Sequence, residues 1–248
     1  MIDKDRFKLL CEREGYISGA SDDASIGIYN EKRLHRLLKN TLCENAECHE
    51  VKIGRYVADV LESELISEIQ CASTAPLLPK IRYYLKETDY SVRVVIPLVG
   101  EKTLIRAERE TGEIIRIKRS PKRQTFYDLL ARLYPLRELL LDGRVSVLAV
   151  CVRVEEYRYS EPMRYRKEGR YDSDVFPQEI LDVKQLLGVD GYRALLPKAL
   201  GDTEFSAADF SRETKLRGRD VYSALNLLVG LGLLMREKRG RAMSYKII

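Results

Sequence analysis

The residues best able to do chemistry lie between Tyr56 and Gln70, in the run Tyr-Val-Ala-Asp-Val-Leu-Glu-Ser-Glu-Leu-Ile-Ser-Glu-Ile-Gln. Tyr56 to Leu61 and Leu65 to Gln70 are rich in aliphatic and β-branched residues and flank the polar Glu62-Ser63-Glu64, so they predict an antiparallel hairpin. A turn centred between Ser63 and Glu64 sets Asp59 opposite Glu68, and cross-strand Cβ atoms lie only about 4.5–5.5 Å apart. Gln70 falls two residues beyond Glu68, on the same face, while Val57 and Leu61 flank Asp59 on its own strand. Two acids held together among apolar neighbours repel each other. The simplest relief is a shared proton or a bound divalent cation.

The order Asp59, a short gap, then Glu68-Ile69-Gln70, preceded by a helix carrying Glu31, resembles the metal-binding core of the PD-(D/E)XK nuclease superfamily. In that family an Asp ends one strand and Glu-x-Lys, less often Glu-x-Gln, lies on the next. Here Ala58 stands where the family commonly has Pro, and Gln70 where it usually has Lys. The resemblance implies a restriction-endonuclease-like α/β fold, a mixed sheet flanked by helices. It also implies that Asp59 and Glu68 hold Mg²⁺ or Mn²⁺, that Glu31 adds an acid beside them, and that the reaction is hydrolysis of DNA phosphodiester bonds. Gln70 completes the expected catalytic set, but an amide orients a water and cannot take its proton at neutral pH.

The elements that must position these residues follow from the pattern of the 248-residue chain, of which 45% is hydrophobic, enough for a normal core and two domains. A short helix from Lys4 to Glu14 and a Gly/Ser/Asp-rich loop make an N-terminal extension, residues 1–25. Leu34, Leu37 and Leu38 are the apolar stripe of a helix from about Glu31 to Leu42, with Glu31, His35 and Lys39 along another face. Glu47 to Ile53 predicts a strand before the central hairpin. A helix over about 75–87, irregular at Pro76 and Pro79, leads to the apolar strand Ser91 to Val99. A second hairpin joins Lys102–Arg109 to Glu113–Lys118. A helix over about 125–141, broken at Pro135, precedes the strand from Val145 to Val154. Residues 26–157 are therefore assigned to the nuclease-like domain and 158–175, rich in Tyr and Arg, to a linker.

Residues 176–248 predict four helices and a hairpin: Gln178–Leu187, Tyr192–Leu200, a capped helix opening at Ser206-Ala-Ala-Asp209, a further helix after Arg217-Gly218-Arg219, then strands around the basic tip Lys238-Arg239-Gly240-Arg241. This order resembles a winged helix-turn-helix domain. The resemblance implies that Arg217, Arg219 and Ser223 face DNA from the helix, and Arg239, Arg241 and Tyr245 from the wing.

The net charge of +5 is modest, but Lys118, Arg119, Lys122 and Arg123 lie in one acid-free block with Arg116, and such blocks fit phosphate contact. DNA is the partner expected, with RNA left open, and a homodimer follows by analogy with the two sites that cutting both strands of a duplex calls for. No apolar run approaches a membrane helix, and five Cys without framework spacing predict reduced thiols, so a soluble cytoplasmic protein without membrane partners is expected. Cys43, Cys48 and His49 are zinc-capable donors that lack a second pair at finger spacing. The rival to a nuclease is a catalytically inactive, nuclease-like DNA-binding protein acting as a regulator or recruiter.

Overall fold

The computed structural model describes all residues except 1, 18–25, 109–110, 160–172, 202 and 241, and all side chains but those and 15–17, 26–32 and 239. Two helices, α1 (Lys4–Ile17) and α2 (Ile26–Leu42), open the chain and pack on each other. The strands β1 (His49–Ile53), β2 (Tyr56–Glu62) and β3 (Leu65–Ile69) form an antiparallel meander. The helix α3 (Leu77–Glu87) crosses over to β4 (Ser91–Ala107), which runs parallel to β3, with Leu65 opposite Ser91 and Ile69 opposite Val95. Parallel neighbours need such a crossover, since a tight turn reverses direction. Next come β5 (Ile114–Arg119), antiparallel on β4, then α4 (Phe126–Leu133), β6 (Val145–Tyr159) and β7 (Ser173–Leu187). The result is a seven-stranded mixed sheet in the order β1-β2-β3-β4-β6-β7, with β5 on β4. The C-terminal part adds α5 (Gly188–Arg193), β8 (Phe205–Ser206), α6 (Ala207–Thr214), α7 (Arg219–Gly230), β9 (Leu234–Arg239) and β10 (Ala242–Ile247), with a small sheet ordered β8-β10-β9.

Local chemistry explains most of these boundaries. Val92, Val94, Val95, Ile96 and Leu98 of β4 are all fully buried, as expected of a strand covered on both faces. Pro76 and Pro79 sit at the N-cap and in the first turn of α3, where a missing N–H costs no helical bond. Capping boxes start α4 at Thr125 with Asp128 and α6 at Ser206 with Asp209. Pro135 lies in a short 3-10 turn that ends α4.

Two expected helices are corrected. Gln178–Leu187 is not a helix but part of β7, and the helix expected over Tyr192–Leu200 shrinks to α5 and a 3-10 turn over Lys198–Leu200. Val175, Ile180 and Val183 favour extended backbone, and Pro177 is tolerated because β7 ends the strand path, where a missing N–H leaves no neighbour unpaired. The expected boundary at residue 176 thus falls inside a strand. The chain forms two compact units, residues 1–46, 97–124 and 150–183, and residues 47–96, 125–149 and 184–248. Within the second, α4 packs against α7 through Leu129, Leu130 and Leu133 on one side and buried leucines of α7 on the other. Residues 160–172, expected as a Tyr/Arg-rich linker, lie outside the described residues.

The β1–β2 turn is the tightest spot beside the central hairpin. Gly54 has φ +58°, and a Cβ there would lie 1.8 Å from the Tyr83 hydroxyl. Gly54→Ala is therefore expected to destabilise the fold by about 1–3 kcal/mol, the cost of a strained left-handed residue. A urea midpoint lowered with unchanged slope would bear this out, and an unchanged midpoint would contradict it.

Candidate functional site

The β2–β3 loop has only Ser63 and Glu64 at its apex, both with positive φ (48° and 64°), the twist that matches a two-residue hairpin. It fixes the register as Glu62 opposite Leu65, Leu61 opposite Ile66 and Val60 opposite Ser67. Continuing that count places Asp59 opposite Glu68, as the sequence predicts. The ladder stops there, because the Asp59 carboxylate takes over: its Oδ2 accepts the Ile69 N–H at 2.7 Å. The side chain thereby closes the strand end and is held against β3.

Glu68 is the centre of the arrangement. Its side chain is 1% exposed in the middle of the sheet. Oε2 accepts the Lys80 ammonium at 2.5 Å, and Oε1 accepts the Tyr84 hydroxyl at 3.2 Å. Burial, followed by the charge of Asp59, pushes the Glu68 carboxyl up from 4.5 to about 7, and the ammonium and phenol only partly offset this. Tyr84 is itself fully buried, and burial beside Glu68 raises its phenol well above the usual range. Among the described residues Lys80 is the cation in hydrogen-bond contact with Glu68, and it does not outweigh the effect of burial.

Lys80 and Tyr84 are one helical turn apart on α3, the face that buries Leu77 and Ile81. Neither emerges from motif spacing. The signal present in the sequence is a lysine lying inside the apolar stripe Leu77, Ile81, Tyr84, three residues after its start. Around them Tyr56, Tyr83 and Tyr84 meet edge to face at 5.3–6.4 Å between centroids, with the Arg55 guanidinium 5.2 Å from two of these rings. The loop after β3 is held by Arg132 of α4, whose Nη2 donates to the carbonyls of Gln70, Cys71 and Ala72 at 2.8–3.0 Å. The Gln70 N–H continues the parallel ladder to Val95 O at 2.9 Å. The half-buried Gln70 side chain follows Glu68 by strand alternation.

The remaining expected residues fall as follows. Glu31 lies in α2, but its side chain is outside the described residues. Lys118, Lys122 and Arg123 are exposed, and Arg119, though exposed, pairs with Glu101 at 2.9 Å. Arg217 and Arg219 are exposed at the start of α7 and Ser223 is half-buried, with Tyr222, absent from the expected set, 57% exposed beside them. The Arg239 side chain and all of Arg241 are outside the described residues. Tyr245, expected on the DNA face of the wing, is instead buried and stacked on Phe205 at 6.0 Å, because its position on β10 points inward opposite β8. Among the described residues no group of three or more His, Cys, Asp or Glu side chains could hold a metal, the Cys43, Cys48 and His49 set included.

Residues 32–187 match a protein family described as "Domain of unknown function (DUF8091)". The chain is also 26% identical over 147 residues to an uncharacterized protein of Treponema pallidum (strain Nichols), an alignment covering 58% of this chain and 57% of that protein. The chain thus spans a little over half the length of the curated relative it matches. No solved structure matches.

The Glu68 environment has a measurable consequence. Its carboxyl titrates near 7 in the folded chain and near 4.5 when unfolded, so the folded state binds the extra proton between those values. Stability contributed by that proton is fully present below about 4.5 and is lost as pH rises to about 7, by an amount on the order of 3 kcal/mol. Glu68→Gln is expected to flatten the dependence of urea-unfolding free energy on pH across this window. Equal slopes for the variant and the parent would rule out Glu68 as the buried acid.

Proposed function

Since the chain belongs to the family described as DUF8091, whose matched span encloses Asp59, Glu68, Lys80 and Tyr84, we propose that this span is a divalent-metal-dependent nuclease domain acting on DNA. The observation that carries the reading is the half-buried Asp59 beside the buried Glu68 on adjacent antiparallel strands, with an ammonium delivered to Glu68 from the crossover helix. The succession α2, β1, β2, β3, α3, β4 agrees with the restriction-endonuclease-like core that the sequence resembles. The C-terminal succession of α5, β8, α6, α7, β9 and β10, with its sheet order β8-β10-β9, supports a winged helix-turn-helix as the targeting part.

The donor set suits a hard cation. Asp59, Glu68 and the Ile69 carbonyl offer oxygen ligands, the chemistry of Mg²⁺ and Mn²⁺ sites, and a dication there would favour the ionised form of Glu68, whose carboxyl is pushed up by burial and then by the Asp59 charge. When bound, such an ion polarises the scissile phosphate and lowers the pKa of an attacking water. Asp59 keeps one oxygen on the Ile69 N–H, which fixes the direction of the other. Glu68 holds the Lys80 ammonium, so the positive charge that Gln70 cannot supply from the strand comes from α3 and can stabilise charge building on the phosphate. Gln70 is left to orient the water by its amide. On the winged-helix reading, Arg217, Arg219 and Ser223 meet the duplex from α7, and the hairpin tip at Arg239 and Arg241 meets its backbone. Tyr245 has a packing role in this scheme.

With Mn²⁺ the purified chain is expected to cut duplex, branched or single-stranded DNA. Asp59→Ala and Glu68→Ala should each abolish cleavage, and Lys80→Ala should lower it by about 10²–10⁴-fold. Calorimetry should detect Mn²⁺ binding that Asp59→Asn removes. Inertness toward every substrate, together with sequence-specific DNA binding that needs no metal, would replace the nuclease with the inactive DNA-binding protein.

A further inference from the structure

We propose that the β4–β5 ribbon carries a recessed anion site, built by Arg106, Arg116, Lys118 and Arg158, that holds the phosphodiester backbone of a nucleic-acid strand. The four cations line a cleft of about 190 Å³ together with Leu104 and Ile105. The register places Arg106 directly opposite Arg116, and Lys118 opposite Leu104. Like charges facing each other across a ladder are destabilising. Among the described residues the side chains of Arg106, Arg116 and Lys118 form no ion pair, and Glu156, which takes Arg158 at 2.7 Å, is shared with Lys102 at 2.6 Å.

The other face of the same ribbon shows what a purely structural solution looks like. By alternation Arg119 shares that face with Ile115 and Ile117. There Glu101 accepts Arg119 at 2.9 Å and Arg153 at 3.0 Å, Arg153 also pairs with Glu179, and these cations hold the Glu101 carboxyl below its usual range. Among the described residues one face has its positive charge answered by carboxylates, while on the other Arg106, Arg116 and Lys118 are not, so that face suits an external anion.

The arrangement of the cations selects the anion. Guanidinium forks match phosphate oxygens two at a time. Arg116 and Lys118 follow one another at every second residue, about 6.8 Å apart along a strand, which makes a row suited to successive phosphates rather than a ring around one compact ion. The row continues into the exposed Lys122 and Arg123, in a loop tied back to β4 where the Ser120 N–H donates to Lys102 O at 2.8 Å. The cations line a recess, and that geometry favours a strand laid into it over a flat lipid surface.

The site rests on the reading that the ligand is nucleic acid, but it does not depend on cleavage. The test is the affinity of the full chain for fluorescent duplex and single-stranded oligonucleotides in EDTA at 50–200 mM salt. The double variant Arg106→Ala/Arg116→Ala is expected to bind at least 10-fold more weakly and to lower the slope of log affinity against log salt by about two, near 0.9 for each phosphate that is no longer neutralised. Its thermal midpoint should be unchanged or raised, since two opposed charges are gone. Arg119→Ala, on the answered face, should change the slope by less than half as much. An unchanged slope in the double variant would overturn the site, as would pyrophosphate binding as tightly as the oligonucleotide, or a loss confined to phosphatidylserine vesicles. A chain that never cleaves yet loses binding in the double variant keeps this site and loses the nuclease, and one that cleaves with an unchanged slope does the reverse.

Discussion

An ionised carboxylate in the middle of a sheet has almost no water to solvate it, and Glu68 is in that position. Its charge must be met by neighbours or by a proton, and the surrounding elements are fixed by that requirement. The helix α3 cannot slide or rotate far without drawing the Lys80 ammonium from Oε2 and the Tyr84 hydroxyl from Oε1. Breaking a buried pair on one side only is costly, on the order of 3–5 kcal/mol, because it strands a charge. The crossover helix is thus bolted to the strand beneath it by polar groups as well as by Leu77 and Ile81.

The second carboxylate is controlled by different means. Asp59 is fixed by the backbone: the two positive-φ residues at the hairpin apex set the register, and the Ile69 N–H then captures the side chain. A one-residue slip would turn Asp59 to the opposite face and leave that amide unpaired. Arg132 adds a third restraint by gathering three carbonyls of the loop that follows β3, so that α4, itself packed on α7, holds the exit of the strand. Side chains from three elements, each with its hydrogen-bond partner, therefore define where the acids stand.

Much of this is legible in the sequence because it is local. The hairpin register follows from the polar Glu62-Ser63-Glu64 between two aliphatic runs, and counting outward pairs the acids. The capping box at Ser206 and Asp209 likewise depends on residues three apart. What the sequence hides depends on partners distant along the chain. Gln178–Leu187 carries Leu and Ile at spacings that fit a helix as well as a strand, and only a place beside β6 at the sheet end decides for the strand. Tyr245 reads as a wing contact because aromatic and basic residues adjoin, but β8, only Phe205–Ser206, pairs with β10 and turns it inward. Lys80 gives little signal because a lone lysine in a helix is ordinarily solvated, and its partner Glu68 lies on a different element.

Stability alone does not account for the central cluster. A buried ion pair is often no better than apolar side chains of similar volume, and here burial and then the Asp59 charge raise the Glu68 carboxyl despite the ammonium and the phenol. Leucine at position 68 and at position 80 would fill the space without the desolvation of three charged or polar groups. What leucines cannot do is gather oxygen ligands on one side of a strand while keeping a cation in reach of them. The elevated Glu68 carboxyl follows first from burial and then from the Asp59 charge, so the fold gives up stability near neutral pH to keep the two acids together. A proton relieves the repulsion between such acids, and in the proposed function a divalent ion would do the same while also engaging a phosphate.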